Sequence, residues 1–376
     1  INAAGHTLTM NQEGREGGVN LISDGIGKKV EITADKVVLD DRAGGRTDAI
    51  HMFSKDENAK SELVVNGDLD VTAINSKDNA NGIYAAGNAA VTVNGNVKMN
   101  NGDEWAVDSH ESGYSYYGAS GIYSTSNMGP NGMGAKIVVN GDVDLKVNGN
   151  GMYTNAGGST IDTKGDVAVE VKKDNTKGYA ALRAEDGVVN VNVVKDGSGK
   201  VTGADSHKVN LKGNVAVTTG AVNSVDKKGT LSAVNLGLST PDSSLHGVVY
   251  NAFKDEGKES NGVTFIGESN LVLENGATWT NEQYGPAGES WGGEAFAGSK
   301  VTNFTGGASE DKAGFILQKE ETPLKLRNYK GFTKVAYEHD ASAPTTIKGG
   351  DVEIGKAAAG SGITLMTDNA GLNTAS

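Results

Sequence analysis

Leu63-Val64-Val65-Asn66-Gly67-Asp68-Leu69-Asp70-Val71 sets the pattern of this chain. An Asn-Gly-Asp turn stands between two short runs of alternating residues. The arrangement returns as Val91-Thr92-Val93-Asn94-Gly95-Asn96-Val97-Lys98-Met99 and as Ile137-Val138-Val139-Asn140-Gly141-Asp142-Val143-Asp144-Leu145. Looser copies are Lys164-Gly165-Asp166 before Val167-Ala168-Val169, and Lys212-Gly213-Asn214 before Val215-Ala216-Val217. Alternation is the period of a half-buried strand. Its return at intervals of tens of residues implies stacked units, each too small to bury a core alone.

A second tripeptide completes the unit: Gly82-Ile83-Tyr84, Gly121-Ile122-Tyr123 and Gly151-Met152-Tyr153, with Ala49-Ile50-His51 and Gly178-Tyr179-Ala180 as relatives. One repeat therefore reads as strand, Asn-Gly turn, strand, loop, Gly-Ile-Tyr strand, loop. The spacing from Gly67 to Gly95 gives a rung of roughly 28 residues, and that from Gly141 to Gly165 roughly 24. The longer interval from Gly165 to Gly213 reads as two rungs, with Gly187-Val188-Val189-Asn190-Val191-Asn192-Val193 supplying a strand between them. The interval from Gly95 to Gly141 holds one Gly-Ile-Tyr site, so its excess reads as an inserted loop at residues 101–120.

An Asn-Gly pair is also a hairpin signal, because both residues tolerate positive φ. An antiparallel meander is thus the competing architecture. Three strands per repeat and near-constant spacing favour a solenoid, and no long capped helical period intervenes. The expected fold is all-β: a right-handed parallel β-helix whose rungs lie about 4.8 Å apart. Asn66, Asn94 and Asn140 would then stack at one corner as a structural ladder of amides.

Composition narrows the function. Glycine is abundant, 54 of 376 residues, without a Gly-X-Y period, which excludes collagen. Asn and Asp accompany it, so turns rather than flexible linkers use it. A net charge of −13 with no concentrated Lys/Arg stripe argues against nucleic acid as a partner. The absence of cysteine excludes a disulfide scaffold and Cys-based metal sites. No run of 18 apolar residues forms a spanning helix. No signal-peptide pattern opens the chain at Ile1, which leaves a cytosolic protein or a processed segment of a longer one.

The pattern changes near residue 261, dividing the chain into repeat rungs at 1–260 and a C-terminal region at 261–376. Strands there carry aromatics: Ala277-Thr278-Trp279, then Ser299-Lys300-Val301-Thr302-Asn303-Phe304-Thr305-Gly306-Gly307, then Leu324-Lys325-Leu326-Arg327-Asn328-Tyr329-Lys330-Gly331. A solenoid end needs a cap, and Trp279, Phe304, Leu326 and Tyr329 are expected to be buried in one. This series resembles the C-terminal passenger region of type V secretion autotransporters of the pertactin-like and diffuse-adherence kinds. The resemblance implies a bacterial cell-surface or secreted adhesin, joined to the membrane only through a barrel that these residues do not contain.

Chemistry is sparse. Asp40-Asp41-Arg42 holds the adjacent Asp pair, without the positioned basic partners that β-helical polysaccharide lyases and hydrolases use. The six histidines form no metal spacing. No catalytic residue, metal or cofactor is expected. The binding candidates are Trp105, His110, Tyr114, Tyr116 and Tyr117 in the 101–120 insertion, because loop aromatics are rigid amphipathic anchors. They compete with a local satellite core as the reading. Tyr284, Trp291 and Phe296 form a second cluster, read as capping. The expected function is adhesion to a host or bacterial surface protein or glycan, self-association between cells, or both. A glycan-active enzyme and a plain stalk are the alternatives.

Overall fold

The structure is a computed structural model that describes residues 1–14, 21–24, 27–43, 47–75, 80–109, 119–126, 133–174, 178–218, 231–252, 258–260, 263–285, 298–319, 322–339 and 347–366. Through them the chain winds as a three-sided parallel β-helix. Ala89–Val93 runs parallel to residues 61–65 on one side and to Lys136–Val139 on the other. Beyond the corner, Val97–Met99 runs parallel to residues 69–70 and 143–145. Neither strand pairs across its own turn, so the meander is excluded. The Gly-Ile-Tyr strands build the third sheet, with Ser120–Thr125 between Ala80–Gly87 and Asn150–Thr163.

Gly67 (φ +145°) and Gly213 (φ +153°) adopt positive φ, but at the other corners glycine is needed for a different reason. Gly95, Gly141 and Gly165 do not adopt positive φ. A Cβ on Gly95 would stand 2.3 Å from the Gly67 carbonyl oxygen, and one on Gly141 2.5 Å from the Gly95 backbone. The turns touch backbone to backbone, and a side chain would hold the rungs apart. The residue after each glycine then serves the next rung. Asp68 Oδ1 accepts the Asn96 N–H at 2.9 Å, and Asn96 Oδ1 accepts the Asp142 N–H at 2.8 Å. Asp142 and Asp166 continue to the N–H groups of Asp166 and Lys208. Each bond satisfies a backbone donor that the turn leaves out of the ladder, worth about 1 kcal/mol net.

The interior is filled by one alternating set per sheet. Ile50, Ile83, Ile122, Met152 and Leu182 form a fully buried column across five rungs. Their neighbours His51, Tyr84, Tyr123, Tyr153 and Arg183 stack on the opposite face of that sheet. Tyr123 and Tyr153 lie parallel at 4.8 Å between ring centroids, and Tyr84 meets Tyr123 edge-on at 5.3 Å.

The interval from Gly165 to Gly213 is one rung, not two. Val167–Val171 pairs directly with Val209–Lys212. Residues 188–191 are the third strand of that same rung, between residues 160–163 and 233–236. The extra length is an antiparallel hairpin, Val193–Lys195 with Val201–Ala204. In the 101–120 insertion, Val107–Ser109 is itself a strand, paired with residues 73–75 and 147–148.

The stack is continuous across residue 260, since Leu231–Leu238 pairs with Val263–Leu273. Trp279, Phe304, Leu326 and Tyr329 are buried, but they fill rung interiors that prolong the solenoid rather than lie across its end. Phe304 stacks on Tyr329 at 5.6 Å, and Trp279 Nε1–H donates to the Gly247 carbonyl at 2.8 Å. One buried side chain is poorly served. Asp41 is fully enclosed, and neither carboxylate oxygen has a hydrogen-bond partner. Burial first, then the charges of Asp48 and Asp40, pushes its pKa up to about 7.

Candidate functional site

The outward column of the first sheet changes character along the rod. Its register runs Glu31, Val64, Thr92, Val138 and Asp162, then Asn190, Asn235, Asn270, Asn303 and Asn328, and reaches Lys356. The five amides are bonded in line. Asn190 Nδ2 donates to Asp162 Oδ1 at 2.6 Å, and Asn235, Asn270 and Asn303 each donate to the preceding amide oxygen at 2.7 Å. Asn328 donates to Asn303 at 2.9 Å. All the amide dipoles point one way. A carboxylate receives the donor end, and a lysine stands next at the acceptor end, each the sign that an aligned dipole row favours.

An open groove of about 620 Å³ runs along this column. Its floor includes Asn235, Asn270, Asn303 and Asn328, one amide per rung, so it extends about 5 Å with each rung crossed. The hairpin forms one wall, contributing Lys195, Ser198, Lys200 and Val201. Asn192 anchors the hairpin's root, donating to the carbonyls of His207 at 3.1 Å and Gly237 at 3.0 Å. In the hairpin turn, Asp196 Oδ1 accepts the N–H groups of Ser198 and Lys200 and so fixes the tip. Asn190 and Asn235 are buried, while Asn270, Asn303 and Asn328 are half-buried and reachable. Asn303 uses one N–H and one oxygen lone pair in the ladder, which leaves one of each; the second N–H of Asn270 is directed at Glu268 Oε2 at 3.3 Å, and Asn328 is the last amide of the row.

Charge in the groove opposes the charge of the chain. Among the described residues, Lys195, Lys200, Lys330 and Lys356 line it against a single acid, Glu268. None of the four is in an ion pair among the described residues. Lost hydration pushes the Lys195 ammonium below its ordinary pKa, with Asp162 acting the other way.

No family model, no curated protein and no solved structure matches this chain.

The residues singled out in the sequence lie elsewhere. Asn94 donates to Asn66 at 2.6 Å and Asn140 to Asn94 at 2.7 Å, a second ladder at the corner. It too starts on an acid, with Asn66 donating to Glu31 Oε1 at 3.0 Å. That bond, and then Lys29, holds the Glu31 carboxyl below its usual range. Trp105 is half-buried, with the Lys146 ammonium 5.3 Å from its ring centroid. Beside it Arg42 grips Glu104 through two hydrogen bonds of 2.9 and 3.1 Å. His110, Tyr114, Tyr116 and Tyr117 lie outside the described residues, as do Trp291 and Phe296. Tyr123 belongs to the buried tyrosine stack, and Tyr284 is buried edge-on to His246 at 5.2 Å.

The face ladder went unread because its amides sit in unlike contexts: Val189-Asn190-Val191, Val234-Asn235-Leu236, Ser269-Asn270-Leu271, Thr302-Asn303-Phe304 and Arg327-Asn328-Tyr329. A signal was present. Each is a polar residue placed directly before an apolar one in a strand. The hairpin also had its mark, Val194-Lys195-Asp196-Gly197-Ser198-Gly199-Lys200-Val201, a turn between β-forming ends.

Proposed function

We propose that this chain is the recognition-bearing rod of a bacterial cell-surface adhesin, of the autotransporter passenger type. The observation that carries the reading is the groove: a polar, solvent-facing ladder of amides beneath one wall, on the outside of an otherwise regular solenoid. Repeated weak sites along a rod, on many rods per cell, give avidity without a tight single site. Among the described residues the groove presents four amides and one carboxylate, Glu268. Glycoside cleavage uses two carboxylates, one on each side of the bond. This set is better suited to holding a polar chain than to cutting it. Partners on this reading are surface glycans or proteins of a host or of neighbouring bacteria, and self-association between cells is part of the same activity. Secretion by the type V route and anchoring in the outer membrane rest on the resemblance of the 277–331 series alone.

The test is display of the chain on a non-adherent bacterium through a heterologous barrel. Attachment to host-cell monolayers and settling of the culture are both measured. A gain in either supports the adhesin. Correctly displayed rods with no gain in either overturn it and leave the stalk.

A further inference from the structure

We infer that the groove over Asn235, Asn270, Asn303 and Asn328 binds a linear acidic polysaccharide, laid along the solenoid axis with its carboxylate or sulfate groups toward the lysines. The inference deepens the adhesin reading and rests on it for biological context, but not for its chemistry.

Three features select this ligand. The first is repetition. Where the floor is open, at Asn270, Asn303 and Asn328, it presents one amide per rung at about 4.8 Å, so its natural occupant is a polymer with recurrent hydroxyl groups. Amide side chains suit hydroxyls, because each can give and take a hydrogen bond at once. The second is charge. Four lysines without ion-pair partners among the described residues line the groove, against one glutamate, on a chain whose net charge is −13. A positive strip on an acidic body attracts an anion locally while the remaining surface repels it, which orients a long ligand on the groove. The third is the kind of cation. Among the described residues the groove holds lysines, which act as point charges on flexible stems, and no arginine fork for bidentate phosphate. Carboxylates and sulfates spaced along a sugar chain fit that set. Nucleic acid fits it less well, because the aromatic rings among the lining residues, Phe304 and Tyr329, are buried in the core and offer bases no stacking face.

Glu268 sharpens the test, since it is the one acid in the lining among the described residues and lies 3.3 Å from Asn270 Nδ2. The whole chain is immobilised and titrated with hyaluronan, heparin, neutral dextran and a single-stranded DNA oligonucleotide at low and physiological salt. Saturable binding of hyaluronan or heparin, weakened by salt, with none of dextran, is the expected result. Lys330→Gln with Lys356→Gln should weaken it by up to about thirtyfold, as two exposed charge contacts allow. Glu268→Gln should tighten binding, an outcome that general destabilisation cannot produce. DNA bound as tightly as the acidic glycans would overturn the inference in favour of indiscriminate polyanion binding. So would unchanged affinity in both the lysine and the Glu268 variants. Displayed rods that adhere while the purified chain ignores acidic glycans would refute the ligand and leave the adhesin standing. Glycan binding without adherence would do the reverse.

Discussion

The corner ladder of the N-terminal rungs and the face ladder of the C-terminal rungs use the same side chain and the same bond in different surroundings. Asn94 and Asn140 stand at an exposed corner, where water competes for every donor. Asn190 and Asn235 are buried under the hairpin, where the neighbouring amide is the partner. A hydrogen bond in water contributes little net, whereas a buried amide left alone bears its full desolvation cost. The corner row therefore trims the stack, and the face row holds it. Further along, where the hairpin no longer covers them, the face amides become available to a ligand.

The sharpest way to break this comparison is Asn235→Leu against Asn94→Leu. Removing Asn235 strands the Asn190 oxygen and an Asn270 N–H, and should cost about 3 kcal/mol. Asn94→Leu should cost less than about 1 kcal/mol. Amide hydrogen exchange over the flanking rungs checks both, because a solenoid unfolds locally. Equal protection in the two variants would dissolve the distinction.

Next in size is Gly95→Ala. A Cβ 2.3 Å from the Gly67 carbonyl must push two rungs apart, at about 2–3 kcal/mol by the usual cost of overpacking. Gly102, whose Cβ would meet nothing within 4 Å but whose φ is +75°, is the control for strain without contact. Its Ala variant should lose about 1 kcal/mol. Thermal melts with exchange at the corner amides separate the two.

Asp41 is a buried carboxylic acid that belongs to neither ladder. Its folded pKa of about 7 lies above that of an unfolded aspartate, so the folded state holds a proton that the unfolded state releases. Stability should fall as pH rises from about 4 through about 7, and the whole penalty is present above that. Asp41→Asn should flatten the dependence and gain up to about 4 kcal/mol at pH 8. Denaturation midpoints at about pH 5 and pH 8 decide it; a variant with the parent's pH slope would mean that Asp41 is not the titrating group.

The solenoid was legible because its corners repeat in composition as well as in space. Asn66, Asn94 and Asn140 share a glycine neighbour, since that glycine must let backbone touch backbone. The face ladder repeats in space alone. Its members meet through rungs of unequal length, 45 residues from Asn190 to Asn235 and 25 from Asn303 to Asn328, so no fixed period announces them. The hairpin was misread as part of an extra rung for a related reason. Residues 188–191 alternate like any strand, and alternation does not say which rung a strand closes. The aromatic reading of the insertion looked for protruding rings, whereas the groove's floor is built from half-buried amides that any scan for anchors passes over.

Both ladders lie along the long axis, as do the bonds between strands. A pull on the two ends of the rod therefore loads its rungs as links in a chain, and the weakest join sets the strength. Amide links run from Glu31 to Asn140 and again from Asp162 to Asn328. The join between Lys136–Val139 and residues 160–163 has none among the described residues. Under tension the rod should part there before it parts within either laddered segment. A tether built this way would lengthen at a set place while the groove kept its grip.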